Sequence, residues 1–355
     1  MLKIKVTKLQ EMLSRASKGA TNNKLIPLTN LLALELKDSK LTITTTDGTN
    51  YLYVKENVEG DDFYVCISSD TFPKLIARLT CEDVTLDLKD NYLEVVGNGK
   101  YQIDYQLDEN GDMIKFPNPI GDSMTNKVGT ISLQTVKTVL NSIRPSLAND
   151  TTQYSNYYVG SSITATDSFK ISSMSTNVFE IPKLIGADTM DLLGTMIDEN
   201  IDIYTDNDKK IMFTSDHGVV FGYTSDNIGS YSIDAILGLV NKNYPSKCKV
   251  AKTQILQVLD RISLFVDSLI DNDIINIKFE SDGISITSNK SNGAEKVPYI
   301  ECENYQECSG MVLLERLDTQ IKAQTGDAVE IHFGDETSIK MVDNNLTMIV
   351  ALGTD

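Results

Sequence analysis

The 355-residue sequence has little with which to do chemistry. Only two histidines occur, His217 and His332, each in a strand-like stretch where an imidazole is normally structural. No nucleophile stands beside a base in a recognisable arrangement, no P-loop appears, and no GxGxxG follows a strand. The five cysteines (Cys66, Cys81, Cys248, Cys302 and Cys308) are an odd set without a CxxC pair, which points to reduced thiols and away from a disulfide framework or a zinc site. The Asp-x-Asp pairs Asp206/Asp208 and Asp271/Asp273 lack the glycine and distal Glu of a calcium loop and read as hairpin turns. No metal and no cofactor is expected. No apolar run is long enough to span a bilayer. The opening Met1-Leu-Lys-Ile-Lys-Val-Thr alternates like a strand and lacks the apolar core of a signal peptide, so a soluble, cytoplasmic protein without membrane contact is expected. Positive charge is also scarce: 32 Lys and Arg stand against 50 Asp and Glu, a net charge of −18. As a sum this disfavours a nucleic-acid partner, but where the charges sit matters more.

What the sequence does have is repetition. Ile163-Thr-Ala-Thr-Asp-Ser-Phe-Lys-Ile-Ser echoes Ile43-Thr-Thr-Thr-Asp-Gly-Thr-Asn-Tyr-Leu, and a domain-sized interval separates Asp47 from Asp167. Alternating apolar and Thr positions before each Asp predict a half-buried strand running into a turn. An Asp in that place ordinarily accepts hydrogen bonds from nearby backbone N–H groups and does no catalysis. Three segments open alike, as a strand end passing into an amphipathic helix. The first places Leu9, Met12, Leu13 and Ala16 on one face. The second has Ser132 as its N-cap, with Val136, Val139, Leu140 and Ile143 apolar. The third aligns Ile255, Leu256, Leu259 and Ile262. Gln10, Gln134 and Gln254 mark the same position in each. Second helices are expected over 70–79, 188–197 and 312–322, each followed by two alternating strands around an Asp/Asn/Gly-type turn. The chain is therefore expected to be α+β, a three-fold repeat of domains that each pack a pair of helices on antiparallel sheets. The domains are expected at 1–124, 125–245 and 246–355, with boundaries near Phe116-Pro-Asn-Pro119 and Asn243-Tyr-Pro245.

The charges sort by element. Lys8 and Arg15, then Lys137 and Arg144, lie two helical turns apart; Lys74 and Arg78 lie about one turn apart; Arg261, Arg316 and Lys322 belong to the last repeat. Acids concentrate in turns and hairpins. Basic residues of this kind either solvate a helix face or meet a polyanion.

The order and spacing of Ile26-Pro-Leu-Thr-Asn-Leu-Leu-Ala, Phe116-Pro-Asn-Pro, Ala165-Thr-Asp-Ser-Phe-Lys-Ile and Asn243-Tyr-Pro245 resemble the bacterial DNA polymerase III β sliding clamp family along the whole chain. The resemblance implies a non-catalytic processivity factor: a head-to-tail homodimeric ring of six similar domains, helices lining a hole, sheets outside. The implied partners are double-stranded DNA, held without reading its sequence, a replicative polymerase and a clamp loader. On this reading Lys8, Arg15, Lys24, Lys74, Arg78, Lys137, Arg144, Arg261, Arg316 and Lys322 line the hole. Short partner peptides would dock in a pocket of Thr166, Phe169, Lys170, Ile171, Pro245, Lys249, Val250, Ile349, Val350, Ala351 and Leu352. The dimer would meet through Tyr101 and Ile103 on one side, Leu269 and Ile270 on the other. An acidic exterior then repels DNA everywhere except in the hole.

The sequence departs from the family in four places. It has Ser168-Phe-Lys-Ile where the family has Gly-His-Arg-Leu, and it ends Val-Ala-Leu-Gly-Thr-Asp355 where the family has a Met-Pro-Met-Arg-like run. Residues 226–238 look inserted, and the second helix of the middle repeat is acidic (Asp188, Asp191, Asp198). Two other readings remain open at this level: a clamp-like decoy or structural ring that binds replication proteins without encircling DNA, and a hydrolase built on Asp47 and Asp167.

Overall fold

Apolar residues at helical spacing put Val6, Leu9, Met12, Leu13 and Ala16 on the buried side of the first helix, α1 (Val6–Ala16), as its periodicity requires. The structure, a computed structural model, describes every residue except 122–123, 177, 207–208, 226–227, 267–272, 291 and 354–355. Six further α-helices are described: α2 (Thr71–Ile76), α3 (Leu133–Thr138), α4 (Ala187–Leu193), α5 (Ile233–Val240), α6 (Lys252–Ile262) and α7 (Leu314–Lys322). The chain divides into two compact units, one comprising Met1–Val136 with Asp188–Thr224, the other Lys137–Ala187 with Ser225–Asp355.

The first unit holds two antiparallel sheets. One runs β1 (Leu2–Lys5), β6 (Asp83–Leu88), β7 (Tyr92–Val96), β8 (Lys100–Asp104). The other runs β5 (Phe63–Ser68), β2 (Leu31–Lys37), β3 (Lys40–Thr46), β4 (Tyr51–Asn57), β16 (Gly218–Ser225), β15 (Lys210–Ser215), β14 (Asn200–Thr205), β9 (Asn126–Ser132). The second unit repeats the plan. Its small sheet is β20 (Ala294–Pro298), β19 (Gly283–Ser288), β18 (Ile274–Phe279), β22 (Cys308–Leu313). Its large sheet runs β13 (Lys183–Gly186), β10 (Asn156–Val159), β11 (Ser162–Thr166), β12 (Lys170–Ser175), β25 (Leu346–Ala351), β24 (Ser338–Asp343), β23 (Ala328–Phe333), β17 (Ser246–Ala251), β21 (Glu301–Glu303).

Three local differences from the sequence reading have physical causes. The second helical opening begins as expected, with the Ser132 hydroxyl accepting from the Thr135 N–H at 3.0 Å. It then widens into a π-helical turn over Val139–Ile143 and a 3-10 turn over Arg144–Ser146, because Pro145 has no N–H to continue the α ladder. On α6 the buried positions are Ile255, Val258, Leu259 and Ile262; Leu256 is only partly covered. The helices expected over 70–79 and 188–197 are shorter, at Thr71–Ile76 and Ala187–Leu193.

Residues 226–238, read as an insertion, contribute a 3-10 turn over Ile228–Tyr231 and the first part of α5. Tyr231 is fully buried, its hydroxyl donating to the Thr164 carbonyl at 3.1 Å. With Ile236 it joins Tyr158, Ile171, Leu184 and Ile349 in one apolar cluster. Burial of such side chains contributes about 1.5–3 kcal/mol each, so α5 is anchored to the sheet by its apolar face.

Candidate functional site

The duplicated Asp turns close by the same hydrogen bonds. In the first, the Thr46 hydroxyl donates to the Asn50 carbonyl (2.6 Å) and accepts from the Gly48 N–H (3.0 Å), while Asp47 Oδ1 accepts from the Thr49 and Asn50 N–H groups, both at 2.7 Å. In the second, the Thr166 hydroxyl donates to the Lys170 carbonyl (2.7 Å) and accepts from the Ser168 N–H (3.0 Å), while Asp167 Oδ1 accepts from the Phe169 and Lys170 N–H groups at 2.9 and 2.7 Å. Both carboxylates thus hold their own turns, a structural use that accounts for both motifs. The left-handed position is Gly48 in one copy (φ +101°) and Ser168 in the other (φ +77°).

Beyond the second turn, β12 pairs with β25, placing Lys170 opposite Val350 and Ile171 opposite Ile349. The Phe169 carbonyl accepts from the Ala351 N–H at 2.9 Å, and β24 sets Ser338 opposite Ala351. Successive side chains on a strand point to opposite faces. Phe169, Ile171, Ile349, Ala351 and Ser338 therefore share one face, and together with Ser168, Leu239 and Thr337 they line a cleft of about 270 Å³. Leu239 comes from α5, whose C-terminal carbonyls at Val240 and Lys242 accept from Lys340 Nζ at 3.4 and 2.6 Å. Burial lowers the Lys340 ammonium pKa. The Tyr244 hydroxyl lies 2.7 Å from Ser338 Oγ, which ties the segment after α5 to the rim.

The pleat turns the rest of the expected pocket elsewhere. Lys170 Nζ donates to the Pro145 carbonyl at 2.8 Å and lies 3.6 Å from Asp167 Oδ2. Val350 and Val250 are fully buried within the sheet, and Thr166 is 2% exposed behind its turn. Leu352 is 8% exposed, its N–H donating to the Thr337 carbonyl at 2.8 Å. Pro245 lies over Gly334, where a β-carbon would come within 2.5 Å of its ring. Lys249 pairs with Glu301 at 3.3 Å and Glu330 at 4.0 Å. Of the expected pocket residues the cleft thus gathers Phe169, Ile171, Ile349 and Ala351. Leu239, Ser168, Thr337 and Ser338 were missed; only the strand period carried a signal for Ser338.

Beneath the cleft, Ser146 Oγ and Ser172 Oγ lie 2.7 Å apart, Ser172 Oγ donates to Gln320 Oε1 at 3.1 Å, and Gln320 Nε2 donates back to Ser146 Oγ. All three side chains are buried, so this triangle ties β12 to α7. The Arg316 guanidinium of α7 lies 3.8 Å from the centre of the ring of Phe169, which lines the cleft.

The other basic residues differ in availability. Arg15 donates from Nε to the Thr195 carbonyl (2.8 Å) and from Nη2 to the His217 carbonyl (2.9 Å), and desolvation lowers its guanidinium pKa. Lys8 pairs with Glu56 at 2.8 Å, Lys322 with Asp318 at 2.6 Å, and Lys74 with Asp70. Arg261 bonds Glu295 through Nε and Nη2 at 2.8 and 2.6 Å. Arg144 is exposed at the start of its 3-10 turn. Lys24, Arg78 and Lys137 are exposed and make no ion pair among the described residues. Tyr101 (36% exposed) and Ile103 (7%) lie on β8, which ends its sheet and pairs with β7 alone among the described strands. Leu269 and Ile270, like Asp208 and Asp271, lie outside the described residues. Among the described residues no group of three or more His, Cys, Asp or Glu could hold a metal ion, and no helix is long and apolar enough to cross a membrane.

Residues 1–111 match the family model described as DNA polymerase III beta subunit, N-terminal domain. No curated protein sequence matches significantly. Among solved structures, the beta subunit from the DNA polymerase of Streptococcus pyogenes superposes with a TM-score of 0.85 at 11% identity, over 99% of this chain and 100% of that one. DNA polymerase III subunit beta from Borrelia burgdorferi gives 0.84 at 16% identity, over 99% of each chain. The DNA polymerase sliding clamp from Pseudomonas aeruginosa gives 0.83 at 12%, over 100% of this chain and 99% of that one. At such identities the likeness is one of fold, and the fold is that of the sliding clamps.

Proposed function

We propose that the chain is a DNA sliding clamp: a homodimeric ring that encircles duplex DNA, does no chemistry of its own, and tethers a replicative polymerase through peptides docking in the cleft. The observation that carries this reading is that the clamp fold runs through 99–100% of the chain while its first 111 residues match the beta-subunit family's own domain. A clamp loader would open the ring, and Tyr101 and Ile103 at the free edge of β8 would meet Leu269 and Ile270 of a second copy.

The charge distribution supports holding DNA without reading it. Lys24, Arg78 and Lys137 are exposed and make no ion pair among the described residues, so their charge is open to a phosphate. The pairs made by Lys8, Lys74, Arg261 and Lys322 are open to solvent and exchange readily for phosphates. Arg15 is the exception, because its donors are engaged by backbone carbonyls. The decoy-ring alternative is not favoured; no observation supports it over the clamp. A hydrolase on Asp47 and Asp167 would need carboxylates that the two turns already use.

The test pairs sedimentation with topology. A dimer at micromolar concentration, retained on nicked circular DNA after loading and released when the circle is linearised, is expected. A monomer, or equal retention on circles and linear DNA, overturns the reading.

A further inference from the structure

The cleft lining contains no charged side chain, so any charge selectivity must come from its mouth. The cations around it are engaged, with one exception. Lys170 donates inward to the Pro145 carbonyl and pairs with Asp167, Lys340 donates to the Val240 and Lys242 carbonyls, and Lys242 pairs with Asp335. Arg316 differs. Its guanidinium lies 3.8 Å from the centre of the Phe169 ring, and among the described residues it makes no hydrogen bond and no ion pair. On its own helix, Asp318 is paired with Lys322 and Glu315 is exposed to solvent. Phe169 is itself 51% exposed and lines the cleft. A guanidinium over an aromatic ring keeps its planar set of N–H donors free for an acceptor at the ring's edge. Phe169 also lines an apolar cleft of about 270 Å³, room for one or two aliphatic or aromatic side chains.

We infer that Arg316, stacked on Phe169 at the mouth of the cleft, is a specificity-determining residue that selects docking segments carrying a carboxylate beside their apolar anchor. This rests on the reading of the cleft as a peptide site. The chain's net charge of −18 makes the local cation matter more, because an acidic segment is repelled by the surface at large and is held only where an unclaimed positive charge faces it. The contact is open to solvent and is therefore weakened by salt, whereas burial of the apolar anchor is not.

Fluorescence anisotropy with two labelled hexapeptides, identical except for Asp or Asn beside a Leu-Leu anchor, tests the inference on the full chain. The Asp peptide should bind roughly three- to ten-fold tighter than the Asn peptide, the range for a partly exposed charge-assisted contact, and high salt should narrow the gap. Arg316→Gln should erase the gap and leave the Asn peptide within about two-fold of its parent affinity, while Arg316→Lys should keep part of it. A melting curve confirms that each variant is folded, and Arg316→Lys preserves the comparison if Arg316→Gln is not. Equal binding of both peptides to the parent, or a gap that survives Arg316→Gln, overturns the inference and leaves the cleft reading standing. Failure of both peptides to bind overturns the cleft reading and the inference with it.

Discussion

Arg15 separates a helix face that meets DNA from one that holds the protein together. Arg15→Met keeps an unbranched apolar stem but removes the donors that serve the Thr195 and His217 carbonyls at 2.8 and 2.9 Å. A hydrogen bond to a charged group is worth about 1.5–3 kcal/mol, and discounting for a half-exposed side chain leaves about 2–4 kcal/mol for the two. For a unit of this size each kcal/mol moves Tm by about 2–4 °C, so a drop of about 4–16 °C is expected. Arg15→Lys should fall between, since one ammonium does not reproduce the guanidinium's two directed bonds. If Arg15 instead contacted a phosphate, its loss would leave Tm in place and reduce the slope of log affinity against log salt by about 0.9. Differential scanning calorimetry and a salt titration of DNA retention, made on the same preparation, distinguish the outcomes. An unchanged Tm with a reduced salt slope would refute the structural role.

The remaining expectations are narrower. Ser168→Gly should raise stability by about 0.5–1 kcal/mol, read as a higher denaturant midpoint at unchanged m, because glycine relieves a left-handed serine at φ +77° while adding freedom to the unfolded chain; an unchanged or lower midpoint counts against strain at the turn. Burial alone would raise the pKa of Asp198, but hydrogen bonds from the His217 ring and backbone N–H outweigh it, and the net shift is downward. Asp198 therefore adds stability above the ordinary aspartate value of about 3.9 that is lost as pH falls through its lower folded value. Asp198→Asn should be less stable than the parent at neutral pH and lose less on acidification, and superimposable pH–stability curves would dispose of this. Charge reversal at Lys24, Arg78 and Lys137 together should cut the salt slope of DNA retention by about 2–3 without moving Tm; a retained slope would place the phosphate contacts elsewhere.

The architecture was legible wherever period and punctuation agreed. The buried face of α1 matches its apolar spacing residue for residue, and Ser132 caps its helix. Where two apolar residues competed for one stripe, as Leu256 and Val258 do on α6, tertiary packing decided. The π-helical turn before Pro145 was also legible in principle, since proline removes a donor at a known offset, but the response of the backbone depends on what packs around it. The cleft was half legible. Runs such as Phe169-Lys170-Ile171 and Ile349-Val350-Ala351 mark two strands, but only the register of β12 on β25 says that Lys170 and Val350 point away while their neighbours face the cleft. Leu239 lay in a stretch with no recognisable counterpart, and no local signal links α5 to a hairpin so far away along the chain. Arg316, grouped with the basic residues by charge, is distinguished only by the ring beneath it.

The pairing of β12 with β25 also dictates an order of events. Residues 170–174 find their partners at 346–350, so the cleft's two walls come from segments synthesised far apart in time. Contacts of such long sequence separation form late, after shorter-range hairpins such as β11–β12 have closed. A ribosome-bound chain that has not yet released β25 can therefore close the Asp167 turn but has no finished cleft. The cleft is therefore complete only once β25 has joined β12 and β24.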